Sequence, residues 1–509
     1  MKRVLQLSLI AAAFTLLVLG SGKSSAFQEE VTFNNQVVRI FQAKCQVCHH
    51  PGDIAPFSLM TYAEARPWAR AIQEKVVLRE MPSWKPVDGC GEFDGDRRLT
   101  DDEIATISRW ADSSAREGDP ALLPEPRTFP DVWPLGPPDV VLQPEGDYVV
   151  KPGADIYRCF SIPTALRGDR YISAVEIKPG NRNVVHHVII YLDRTGASKQ
   201  LDDADPEPGY TSFGGPGFDA AGTLGGWSPG ARGRFEPEGN AWLLTEGVRA
   251  VIQVHYHPRG NTTETDRTQV GLYYARQPVR KDIQAVPIVN DSFRIPAGDP
   301  HYRVTASQTV PPGLALHLIG VYPHMHLLGR EMSVEAQSPD GSSRCLINID
   351  KWSFQWQGMY FFKEQIPLPA GTTVRVTSYY DNSAGNPLNP NNPPKPVAWG
   401  EQTTDEMCVL FLEVSLDAQN RTPSSPTIKS VSIDSNTLVV QGQRFLPGSD
   451  IEIDGTRLSD TINHKKKKKA TKQLMSGGDW KSLLVPGRAS SITVLNTDGA
   501  RSDAVSFSR

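Results

Sequence analysis

The sequence predicts a multidomain, mainly β protein led by one small all-α domain. Length is the first reason, because 509 residues exceed what a single hydrophobic core usually serves. Composition is the second. The chain holds 42 Gly and 41 Pro, with turn clusters at 214–217 and 227–230, which favours short antiparallel strands over long helices. The third is a local exception: Thr100-Asp-Asp-Glu103 reads as a capping box opening a helix through Ile104, Ile107 and Trp110. That helix closes an all-α domain over 31–117. A net charge of −4 and a pI near 6.3 argue against nucleic acid as a partner.

Residues 1–26 have the charged, apolar and small-residue regions of a secretory signal peptide, with cleavage expected after Ala26. The apolar run is short for a membrane span and no later stretch approaches one. The mature protein is therefore expected to be periplasmic or secreted, with no stable span after cleavage. Within 31–117, Cys45-Gln-Val-Cys48-His49 is the C-x-x-C-H haem-attachment signature. Two thiols three positions apart reach both vinyl groups of one haem c, and His49 supplies the proximal iron ligand. A redox dithiol or half of a zinc site is the competing reading. Export suits the haem, since c-type haem is attached outside the cytoplasm. The sixth ligand is expected from Met81, in a Pro-flanked stretch with Trp84 that resembles the distal-ligand loop of small cytochrome c domains. Met60 competes with it, and a buried core methionine is the plainer role for either. A Pro-rich linker is expected at 118–138.

From Asp139 the texture turns to β. Three strand-like segments each carry a histidine pair: His186 with His187, His255 with His257, and His324 with His326. Strand side chains alternate, so His324 and His326 share a face and can share one metal ion. Imidazole is the commonest metal ligand. The adjacent His186 and His187 would face opposite sides of a regular strand, so one ion requires a bulge or a strand end there. Two surface histidines, or one core histidine hydrogen-bonded inside a sandwich, are the plainer readings.

Those pairs, with Gln253-Val-His255-Tyr256 and Thr404-Asp-Glu-Met407-Cys408, resemble the copper type II, ascorbate-dependent monooxygenases over roughly 140–415. The family includes the peptidylglycine α-hydroxylating and dopamine β-monooxygenases. The resemblance implies two eight-stranded antiparallel β-sandwich (jelly-roll) domains, expected at 139–282 and 283–420, binding one copper ion each. It implies His186, His187 and His255 on the electron-transfer copper, and His324, His326 and Met407 on the copper that meets O₂. His257 has no matching ligand role. A thioether suits Cu(I), though without the family Met407 reads as a core methionine. C–H hydroxylation consumes O₂ and two electrons, so two coppers make sense together. The implied activity is hydroxylation of a small organic substrate or peptide. Electrons would come from an external donor, ascorbate or a redox protein, relayed through the fused haem. A non-catalytic copper and haem electron-transfer protein is the alternative. A zinc hydrolase stands further off, because no H-E-x-x-H arrangement accompanies the histidines.

Aromatics at Trp352, Phe354, Trp356, Tyr379 and Tyr380 resemble those of bacterial members, with ordinary core expected for most. Four cysteines remain: Cys90, Cys159, Cys345 and Cys408. The animal enzymes are richer in disulfides, and a bridge between Cys345 and Cys408 is the expectation here. Residues 425–509, with the strand-like runs at Ile428, Thr437 and Ile492, resemble an immunoglobulin-like IPT/TIG module without a catalytic set. The lysine run 465–469 reads as a solvated hairpin loop rather than a polyanion patch.

Overall fold

In the computed structural model, which describes residues 30–129, 133–258, 260–416, 425–464 and 467–509, Thr100 caps its helix as the sequence asks. Its side chain accepts from the Glu103 N–H, and the Glu103 carboxylate takes the Thr100 N–H, opening the helix Asp101–Asp112. Ile107 and Trp110 of that helix pack on Phe33, Phe41 and Val38 from the helix Val38–Lys44 and the turn before it, and on Ile72 of the helix Ala69–Val77. This is the helical domain. The expected signal peptide lies outside the described residues.

The remainder is mainly β, built as stacked sheets of mostly antiparallel strands. In the first sandwich a five-stranded sheet runs Tyr210–Thr211, Ile156–Pro163, Arg249–Tyr256, Val185–Asp193 and Thr223–Trp227. It faces Arg170–Lys178 and Gln269–Tyr274 across a core that includes Ile172, Ile190, Ile252 and Leu272. In the second sandwich Leu316–His324, Cys408–Leu416, Lys281–Asn290 and Tyr360–Leu368 face a four-stranded sheet led by Tyr302–Thr309 and Thr373–Tyr380.

The two sandwiches are not separate sheets. Lys281 and Asp282 pair in parallel with Asn240 and Ala241 of Asn240–Leu244, so one nine-stranded sheet crosses from the first sandwich to the second. The boundary expected between 282 and 283 therefore falls inside the strand Lys281–Asn290. That continuity makes the two histidine-bearing halves neighbours on a shared frame.

The helical domain is pinned to both. Asp53, almost fully buried, takes Arg182 at 2.6 Å and Arg232 at 3.0 Å from the first sandwich. Its tail runs along the second, where Pro86 bridges Ile349, Phe93 bridges Phe362, and a disulfide joins Cys90 to Cys345. The expected bridge between Cys345 and Cys408 does not form. Cys408 faces the sandwich core, with its Sγ 3.5 Å from Ser378 Oγ, while Cys345 lies exposed in the opposite sheet on Ser343–Ile349.

The last sandwich has two four-stranded sheets around Trp480, Phe445 and Ile492. It docks on the first through the buried pair Arg170 and Asp450 at 3.0 Å. In the lysine run, 465 and 466 lie outside the described residues and the short helix Lys467–Ala470 follows.

Candidate metal centres

The strands Val185–Asp193 and Arg249–Tyr256 are paired, with His187 opposite His255. Register then slips: Tyr256 faces Val185, so His186 is the extra residue of a bulge. The bulge turns His186 to the side of its neighbour, against the alternation of a regular strand. His186 Nδ1 lies 3.2 Å from His187 Nδ1, and His255 Nδ1 lies 3.3 Å from the same atom. Ligand nitrogens of all three lie within 4.8 Å of one another. His255 Nε2 is 3.1 Å from Asp155 Oδ2, so that nitrogen carries the proton and Nδ1 presents a lone pair inward. Asp155 also holds His257 Nδ1 at 2.7 Å and accepts from Thr403 of the second sandwich. His257 thus shares the carboxylate that orients His255.

Burial pushes His186 down to about 3, helped by the charges of His255 and His257. Burial likewise holds His187 well below the ordinary imidazole range, and lowers His255 despite Asp155. All three are neutral near pH 7, the form that binds a metal.

His324 ends the strand Leu316–His324 and pairs with Val409, which places Met407, just before Cys408–Leu416, beside it in the backbone. The imidazoles of His324 and His326 stand 5.1 Å apart, nearly perpendicular. Each has its Nδ1 tied back to protein: His324 to Gln357 Oε1 at 2.6 Å, His326 to the Asp405 carbonyl at 3.1 Å. Both Nε2 atoms are therefore the free ones. Glu406, fully buried, accepts from the backbone N–H groups of His326 at 3.0 Å, Leu328 at 2.6 Å and Met407 at 3.2 Å. His326 and Met407 donate to the same oxygen, Oε2, so one carboxyl fixes both halves of the site. Burial pushes Glu406 up to about 8, against the pull of these N–H groups. It pushes His324 down to about 3 and His326 to about 4.

Residues 283–422 match the family described as copper type II ascorbate-dependent monooxygenase, C-terminal domain. The second sandwich is thus similar to a copper type II monooxygenase domain. That family is one of oxidoreductases, which bind copper and use O₂ and ascorbate with a small substrate. No curated protein matches the chain. Solved structures with some likeness include that of infectious bursal disease virus Gx strain, 8% identical, covering 55% of this chain and 73% of that one at a TM-score of 0.18. The major capsid protein P2 from Bacteriophage PM2 is 8% identical, with 54% and 96% covered and a TM-score of 0.21.

The donor chemistry fits copper in the monooxygenase domain and in its neighbour. One cluster offers three neutral imidazole nitrogens, and the other offers two Nε2 atoms with Met407 anchored alongside. Sequence reasoning missed the groups that hold these rings: Asp155, Gln357, Asp405 and Glu406. For Glu406 a signal existed, since it directly precedes Met407.

The helical domain offers a different donor set. The Cys48 and His49 N–H groups both donate to the Cys45 carbonyl, at 3.1 and 3.0 Å, so the two thiols and the imidazole share one turn. Burial pushes the Cys45 thiol up to about 12 and raises Cys48. His49 Nδ1 lies 3.0 Å from the Phe57 carbonyl, which leaves Nε2 free as an axial ligand needs. These residues fit the proximal side of a haem c. Met81 lines a cavity of about 730 Å³ with Lys44, Leu99 and Ile104. Cys45, Cys48 and His49 are not among the residues lining it. Among the described residues no helix is long and apolar enough to cross a membrane.

Proposed function

We propose that the chain is an exported copper-dependent monooxygenase that hydroxylates a C–H bond of an organic substrate with O₂. In this reading His186, His187 and His255 hold the electron-transfer copper, and His324, His326 and Met407 hold the copper that meets O₂. Cys45, Cys48, His49 and Met81 hold a haem c that relays electrons from an external donor. The observation that carries the reading is the pair of buried nitrogen clusters. One nitrogen of His255, of His324 and of His326 is engaged by a protein group, which leaves the other ring nitrogen of each for a metal.

Copper bound there supplies one-electron steps and the activation of O₂. The protein's part is positional. Asp155 orients His255 and makes its inner nitrogen more basic; Gln357 and Asp405 lock the rings of His324 and His326; Glu406 holds the two chain segments together. Between the sandwiches, next to His187 and two residues from His324, lies a cavity of about 80 Å³ lined by Val188, Tyr191, Trp227, Tyr322, Met359 and Phe411. Its apolar walls suit a small, apolar substrate group.

Metal and haem analysis of the purified protein, with oxygen uptake across candidate substrates and ascorbate as donor, tests the reading. Two coppers, one haem and oxygen uptake coupled to a hydroxylated product are expected. Both metals without a coupled product would make it a non-catalytic electron-transfer protein, and zinc with indifference to O₂ would make it a hydrolase.

A further inference from the structure

The short segment 352–357 touches all three candidate redox sites. Trp352 donates its indole N–H to the His326 carbonyl at 3.2 Å. The Phe354 ring lies over His186, centroids 5.5 Å apart and planes 22° from parallel, and meets His326 edge-on at 5.9 Å. The Trp356 indole N–H donates to the Ser83 carbonyl at 2.7 Å, two residues beyond Met81. Gly230 leaves open the space beside both the Trp356 ring and Cys48 Sγ: a Cβ built there would sit 3.1 Å from the ring and 3.7 Å from the sulfur. Gln357 then closes the segment on His324.

An ordinary core loop would send its aromatics into one hydrophobic cluster. Trp352 does so, but among the described residues Phe354 belongs to no such cluster, although it is only 9% exposed. Its close ring neighbours are imidazoles of two different centres. Electron tunnelling falls off steeply across gaps and water, and far less through packed π systems. Here the Cys48 thiol and the Trp356 ring flank the same space beside Gly230, Trp356 is two residues along the chain from Phe354, and the Phe354 ring meets His186 and His326.

We propose that Trp356 and Phe354 are the electron route from the haem crevice to the two histidine centres. The proposal rests on the reading that haem c and two coppers occupy these sites. The step moves one electron: the haem iron goes from ferrous to ferric, and copper(II) on His186, His187 and His255 goes to copper(I). No bond forms or breaks and no proton moves, and an external one-electron donor such as ascorbate re-reduces the haem. Phe354, in ring contact with both His186 and His326, then joins that centre to the His326 side.

The test uses full-length protein loaded with haem and copper(II), without O₂. The haem is reduced by a flash-activated photosensitiser, and its α-band is followed as the electron leaves. The copper(II) paramagnetic resonance signal is read in parallel. Wild-type protein should show a concentration-independent decay that vanishes when copper is removed. Trp356→Leu and Phe354→Leu should each slow it about tenfold or more, while Trp356→Phe and Phe354→Tyr stay near wild type. Wild-type rates in both Leu variants, with haem and copper spectra intact, overturn the route alone. Protein lacking the haem band or either copper signal overturns the route together with the functional reading beneath it. If Phe354→Leu loses copper, Trp356→Leu decides, since among the described residues no ring contact joins that indole to either imidazole cluster.

Discussion

Glu406 gives the most quantitative handle on the site. Its two oxygens accept three backbone N–H groups at 2.6 to 3.2 Å, and the side chain is fully buried, so no water can replace them. Glu406→Gln preserves shape. The amide keeps one oxygen, best placed where Oε2 serves His326 and Met407, and turns its NH₂ onto the Leu328 N–H. Measured above about pH 8, where the wild-type carboxyl is ionised, one buried donor then faces another donor, a cost of about 1–3 kcal/mol. Glu406→Ala leaves all three donors without acceptors. Partial relaxation keeps the total below a simple sum, at about 3–6 kcal/mol, a large share of the roughly 5–15 kcal/mol that holds a domain folded. Because the carboxyl ties His326 to Met407, the amide should also weaken copper at that centre by about 10–100-fold. The three-histidine centre, held by Asp155, should keep its affinity. Denaturant unfolding of the metal-free protein measures the first quantity. Copper titration with paramagnetic resonance resolves the two centres. If Glu406→Gln binds two coppers at wild-type affinity and unfolds at the wild-type denaturant concentration, the positioning argument is wrong.

Asp155→Asn tests the other centre. Burial alone would raise Asp155, but hydrogen bonds and charge from His255 and His257 hold it at about 2, so it is a carboxylate throughout the working range. The amide should lower copper affinity at the three-histidine centre by about 10–100-fold and spare the second; equal affinities would refute the role. Glu413 and Glu236 meet at the junction of the sandwiches beside Arg234, 3.9 and 2.9 Å away. Burial, then the charge of Glu236, hold Glu413 well above the ordinary carboxyl range, and burial also raises Glu236. The folded state therefore binds protons more tightly than the unfolded one. The associated stability is full below the ordinary carboxyl pKa and is lost as pH rises through the raised folded values. Glu413→Gln should make the fall in melting temperature from about pH 5 to about pH 9 shallower; an unchanged slope refutes it.

What could be read in advance followed from chemistry that repeats locally. The histidine pairs declared themselves because each lies within one strand or straddles its end. The adjacency of His186 and His187 even stated its own structural requirement, which the slip opposite His255 and Tyr256 meets. The capping box at Thr100 is equally local. Asp155 is different, for it reaches His255 across a hundred residues, and a lone carboxylate in a loop has no local pattern to mark it. Gln357 reaches back to His324 from a loop for the same reason invisible in sequence. The parallel pairing of Lys281 with Asn240 was hidden because a sandwich boundary and a sheet crossing look alike in an apolar run. Cysteine pairing failed on topology: Cys345 and Cys408 lie in opposite sheets, one facing outward and one facing the core.

The covalent link from Cys90 to Cys345 spans 255 positions of sequence and fastens the helical domain to the second sandwich. A protease that nicked the stretch between the helical domain and the first strand would leave both pieces on one molecule, parted only after reduction. The helical domain therefore does not work as a carrier on a leash, where linker length sets how often partners meet. Whatever passes between it and the sandwiches crosses a fixed gap, at a rate that dilution and crowding leave untouched.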